Sequence, residues 1–78
     1  MNLETYYRTK DLSIAALLYA SGKKLINSEY IDARIWFIFE GRLSCEKLVE
    51  SYWRKEVTVN AKEFSDAMRT LKDLIFNK

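Results

Sequence analysis

The chain has 78 residues and a mass of 9.2 kDa, with 13 basic and 11 acidic side chains for a net charge of +2. That is one domain, residues 1–78, near the lower limit for a self-sufficient core, and its 49% hydrophobic and 31% charged residues fit a globular chain and not a disordered one. The absence of histidine excludes a Ser-His-Asp triad, a Cys-His pair and any imidazole metal ligand, and a lone cysteine excludes an intrachain disulfide or a cysteine zinc cluster.

In chain order, Leu3, Thr5, Tyr6 and Tyr7 form a short segment of good strand formers, predicting a first strand over 3–8. Thr9 then stands at an expected helix N-cap, with Asp11 in the first turn. From Leu12 to Ala20 the residues are apolar almost all round, the pattern of a helix buried on every side, and Gly22 supplies a left-handed stop. Residues 24–40 read as a hairpin: Leu25-Ile26 in one strand, a turn within Ser28–Ala33, and a second strand over Arg34–Phe39 ended by Glu40-Gly41-Arg42.

Two helices complete the chain. Ser44 is the expected cap of the first, with Leu43 and Leu48 placed as a hydrophobic staple and Cys45, Leu48, Val49, Tyr52 and Trp53 on one apolar face. Val57-Thr58-Val59 reads as an extended link. Asn60 caps the last helix with Glu63 three residues on, and its apolar face is Phe64, Ala67, Met68, Leu71, Leu74 and Ile75. The order is β-α-β-β-α-α, an α+β fold with a small antiparallel sheet of two to three strands packed with three helices. No proline, low-complexity tract or internal repeat marks a linker.

Function is less legible. The longest wholly apolar run is Ile14–Ala20, far short of the ~20 residues that span a bilayer, and the N-terminus, with its early Glu4, lacks the apolar core of a signal peptide. With its lone thiol, that predicts a cytoplasmic protein without a membrane partner. Charge is evenly spread: residues 1–34 carry five bases and four acids, and residues 35–78 carry eight and seven. The pI of 8.7 falls below the rough guide of about 9 for a nucleic-acid domain.

Alternation in the Arg34–Phe39 strand sends Ile35, Phe37 and Phe39 to one face and Trp36 and Ile38 to the other. Trp36 beside Arg34 and Lys24 has the composition of a base-stacking platform, on which each stack is worth about 1–3 kcal/mol; the preferred reading is that a third helix or a second copy of the chain covers that face. Of Tyr6 and Tyr7, one belongs to the core and the other to the outer face, where it could share a surface with Trp36. Cys45 in a first helical turn would have a lowered pKa if exposed, but it begins an apolar stripe and reads as a structural thiol. The carboxylates Glu46 and Glu50, followed by Arg54, and the pairs Lys62–Asp66 and Arg69–Asp73 read as solvated ladders. Neither glycine belongs to a phosphate-loop motif. No cofactor or metal is implied, and no enzyme is expected.

Two resemblances add to this. Tyr7 to Leu18 resembles the opening of an excisionase or winged-helix domain, but where a recognition helix would follow Gly22 the chain reads as strand. Over nearly its whole length, the succession Tyr6-Tyr7-Arg8-Thr9-Lys10-Asp11-Leu12, Ala15-Ala16 with Gly22, Trp36-Phe37-Ile38-Phe39-Glu40, Leu48-Val49 with Tyr52-Trp53, and Val59-Asn60 with Phe64, Ala67 and Leu71-Lys72 is similar to a small family of uncharacterised prokaryotic and phage proteins catalogued as a domain of unknown function. That resemblance implies a phage or mobile-element setting and assigns no activity.

The sequence therefore predicts a non-catalytic module. The first reading is a protein-interaction domain, as a homodimer built on Trp36 and Ile38 or with another protein of a phage or its host. The alternative is a nucleic-acid binder using Trp36, Tyr6, Arg8, Lys24 and Arg34.

Overall fold

A computed structural model describes residues 5–76. Its elements are β1 (Tyr6–Thr9), α1 (Leu12–Ala20), β2 (Leu25–Ile31), β3 (Arg34–Glu40), α2 (Arg42–Trp53) and α3 (Ala61–Phe76). The strands form one antiparallel sheet in the order β1-β3-β2, so the β-α-β-β-α-α reading holds. The two outer strands run parallel to each other with β3 between them, and α1 makes the crossover from one to the other.

The core lies on one face of the sheet. Phe37 and Phe39 of β3 pack with Ile14, Ala15, Ala16 and Leu18 of α1, Cys45 and Val49 of α2, and Ala67 and Leu71 of α3. Tyr7, Leu25 and Ile35 close it from the sheet side. Ala15 and Ala16 of α1 are fully buried and let its neighbours approach closely, and α3 runs along α1. Each large side chain buried in this way contributes about 1.5–3 kcal/mol. Since all three helices pack on this face, the other face of the sheet carries no helix among the described residues.

The local signals at element ends need several corrections. Thr9 does not cap α1: it is the last residue of β1, buried opposite Phe37, and its Oγ1 accepts from the Asp11 N–H at 3.1 Å. Asp11 is the cap, extended in backbone, with Oδ1 accepting from the Ile14 N–H at 3.1 Å. Leu3 of the expected first strand lies outside the described residues. The hairpin strand β2 runs to Ile31, because Ser28, Glu29 and Tyr30 pair with Phe37, Trp36 and Ile35, and ladder pairing overrides their mixed strand propensity. The turn is Asp32-Ala33 alone, with φ of 52° and 64°, the two left-handed residues that a tight hairpin turn demands.

α2 begins at Arg42, two residues before the expected Ser44 cap. Gly41, with φ of 84°, swings the chain from β3 directly into the helix, and the Gly41 carbonyl accepts from the Cys45 N–H at 2.9 Å. Leu43 is consequently inside the helix on its solvent side, 73% exposed, and makes no staple. Trp53 is also off the core face: it lies about 100° round the helix from Tyr52 and is 65% exposed. Asn60 does cap α3, its Oδ1 accepting from the Glu63 N–H at 3.0 Å. Of the expected α3 face only Leu74 is exposed. Lys62 pairs with Asp66 at 2.9 Å as expected, whereas Arg69 turns back to Asp66 and leaves Asp73. Arg42 and Glu46, and Arg54 and Glu56, replace the expected Glu46–Glu50–Arg54 ladder.

Helices α1 and α2 end in the same way. After α1, Gly22 N–H donates to the Tyr19 carbonyl and Lys23 N–H to Leu18; after α2, Lys55 N–H donates to Tyr52 and Glu56 N–H to Ser51. The left-handed position is glycine in the first case but Lys55 in the second, at φ of 62°. A side chain there costs about 1–2 kcal/mol, less the extra chain entropy that a glycine loses on folding. Lys55→Gly should therefore stabilise the fold by about 1 kcal/mol, raising the denaturant midpoint at unchanged slope; an unmoved midpoint would show that residue 55 carries no strain.

Candidate functional site

β3 is the central strand, so its outward residues sit in the middle of the open sheet face. The register places Arg8 of β1 and Asn27 of β2 opposite Ile38, Tyr6 opposite Glu40, and Glu29 opposite Trp36. Tyr7 faces the core and Tyr6 the open side, the division expected from alternation.

The Arg8 guanidinium meets the Glu29 carboxylate at 3.2 Å. These residues belong to the two outer strands, about 9.6 Å apart at the usual interstrand spacing, so their ion pair passes over β3 between Trp36 and Ile38. Ile38 is 9% exposed although it lies outside the main core cluster. An exposed pair of this kind adds at most about 1 kcal/mol to stability. Its effect is positional, because it holds the guanidinium 5.8 Å from the centre of the Trp36 ring.

Lys10, just beyond β1 and two residues from Arg8, brings its ammonium to 5.5 Å from the same ring. Two cations thus approach one half-buried indole. From the hairpin end come Ile31, Asp32 and Arg34, and together these six residues line a groove of about 400 Å³. A roomier trough of about 610 Å³ follows α3, but its lining of Phe64, Met68, Lys72, Phe76 and their neighbours comes from that one helix.

The structure therefore gathers Trp36, Arg8 and Arg34 from the residues named by sequence and separates the others. Lys24 lies at the opposite end of the sheet, where its carbonyl accepts from the Glu40 N–H, and Tyr6 is at that end too. Ile38 is on the predicted face but is largely covered. Lys10 and Asp32 were missed. Lys10 could have been found by extending the alternation that selects Arg8 one step past the strand; Asp32 required the exact position of the turn.

Cys45 is wholly buried, with its Sγ–H toward the Glu40 carbonyl at 3.5 Å. Burial pushes the thiol above its ordinary value of 9.0, outweighing the lowering effect of Lys23. Burial likewise raises the Tyr7 phenol above 10.0, helped by Cys45, Glu46 and Asp11. Among the described residues, no group of three or more Cys, Asp or Glu side chains could hold a metal ion, and no helix is long and apolar enough to cross a membrane.

A family model described as a domain of unknown function, DUF5659, matches residues 4–77, and the chain belongs to that family. No curated protein and no solved structure matches it.

The raised thiol and phenol define a pH dependence. The folded chain holds both protons more tightly than the unfolded one, so their contribution is complete below the unfolded pKa values and is lost as pH rises through the folded ones. Denaturant midpoints should be unaffected by these groups up to about pH 8 and fall above about pH 9, with the early part of the fall removed in Cys45→Ala. A fall centred below pH 8 would contradict this assignment.

Proposed function

We propose that this DUF5659 protein is a non-catalytic module that binds single-stranded nucleic acid on the open face of its sheet. The observation that carries this reading is Trp36 flanked by Arg8 and Lys10 within 6 Å of its ring, with Arg34 on the rim of the same groove. An indole is a stacking surface for any base, and the cations that lie over its ring in the free protein would yield that face to the base and turn to its flanking phosphates. Arg8 is tied to Glu29, so Lys10 and Arg34, which form no ion pair among the described residues, are the phosphate contacts.

Self-association through the same face is the less favoured reading. Ile38 is already covered, and the charged strap over β3 would have to be desolvated against a second copy. The cytoplasmic location and the phage or mobile-element setting suggested by the sequence fit either reading and belong to this proposal.

In a Trp53→Phe background, Trp36 is the only tryptophan reporter. Its emission should be quenched by single-stranded oligonucleotides, and log affinity should fall with log salt at a slope of about −1.4 for two phosphate contacts. Lys10→Ala or Arg34→Ala should each reduce that slope by roughly half, and Trp36→Ala, followed by anisotropy of a labelled strand, should cost about 1–3 kcal/mol of binding. Absence of quenching at low salt, together with a concentration-dependent mass that Trp36→Ala abolishes, would replace this reading with the homodimer.

A further inference from the structure

The groove beside Trp36 contains one carboxylate that phosphate binding leaves unused. Asp32 is the only acid in its lining, and it makes no hydrogen bond or ion pair among the described residues although Lys10 and Arg34 share the groove. Its place is fixed by the backbone. Asp32 and Ala33 hold the two left-handed positions of the hairpin turn, and pairing of Ile31 with Arg34 closes that turn immediately behind them. Turn geometry accounts for a short polar residue at 32, but asparagine or glycine meets that need equally well. Beside a groove for a polyanion, a carboxylate is repulsive unless the bound base donates hydrogen bonds to it.

The bases differ in what they offer. Guanine presents two adjacent donors, N1–H and the N2 amine, on one edge, and these match the two oxygens of a carboxylate in a bidentate pair. Adenine and cytosine each place a single amine next to an acceptor, and uracil and thymine place a single N–H between two acceptors, so each sets an acceptor against the carboxylate.

We propose that the groove selects guanine: the base stacks on Trp36, the Asp32 carboxylate accepts from its N1–H and N2 amine, and Lys10 and Arg34 hold the flanking phosphates. This inference rests on the nucleic-acid reading above. Because base pairing occupies the same donor edge, it also restricts the site to unpaired guanine.

The test uses the full chain with Trp53→Phe and a set of oligothymidines carrying one central guanine, inosine, adenine or cytosine. Guanine should bind about tenfold tighter than adenine or cytosine, a discrimination within the range of a good bidentate contact. Inosine lacks the N2 amine and should lose most of that preference, a comparison that leaves the protein unaltered. Asp32→Asn suits the left-handed turn and removes the charge; it should bring the four oligonucleotides within about twofold of one another and leave binding to plain oligothymidine equal or stronger. Equal affinity of the unaltered groove for all four would overturn the guanine assignment while the single-strand reading stands. A guanine preference that survives in Asp32→Asn would overturn the role of Asp32. No binding of any oligonucleotide would overturn both.

Discussion

The architecture depends on burying α1 from all sides. Its sequence, Leu12 to Ala20, has no polar stripe along which it could face water, and five consecutive residues, Ile14 to Leu18, are withdrawn from solvent. Two layers are needed to cover such a helix, the sheet on one side and other helices on the rest. In a chain of 78 residues this engages every helix: α3 lies along α1, and α2 closes the end of the cluster through Cys45 and Val49. The opposite face of the sheet is left without a helix as a result of the same requirement.

That open face is managed with charge. The Arg8–Glu29 pair spans the outer strands above β3, and Trp36 is the principal apolar group in the groove, along with Ile31. A strap of this kind discourages face-on association of a small sheet, since another apolar surface would have to displace water from both ions. It also presents Arg8 to the indole, so one weak surface pair both protects the sheet and shapes the groove. The thiol of Cys45, by contrast, has no part in the surface: it fills the core where α2 leaves β3, and burial raises its pKa.

Among the described residues, three that are not glycine hold left-handed backbone, and two of them form the turn at one end of this groove. Asp32 and Ala33 let β2 and β3 reverse in two residues, which keeps Ile31 and Arg34 in register and close to Trp36. Lys55, the third, occupies a left-handed position at the end of α2, remote in sequence from the groove, and contributes only strain there.

By itself the sequence determined the order of elements, the buried helix, the inward set Ile35, Phe37 and Phe39, and the Asn60 cap, because each is written in local periodicity or in a side chain three residues from the amide that it caps. It also separated Tyr6 from Tyr7 and placed Trp36 outside the core by alternation alone. Only the tertiary structure decided the sheet order, the two-residue turn, the true starts of α1 and α2, and the exposure of Trp53. The same holds for the meeting of Arg8, Lys10, Asp32 and Arg34 around one indole. The turn and the two helix starts are closed by contacts three or four residues apart, selected among neighbouring candidates by the strand pairing. The sheet order and the approach of Arg8 and Lys10 to Trp36 arise from pairing between residues 21 or more apart, as in Arg8 with Glu29, and the exposure of Trp53 from which helix face finds room on the sheet. No local pattern carries that information, since it depends on strands brought together only after the chain has folded around α1.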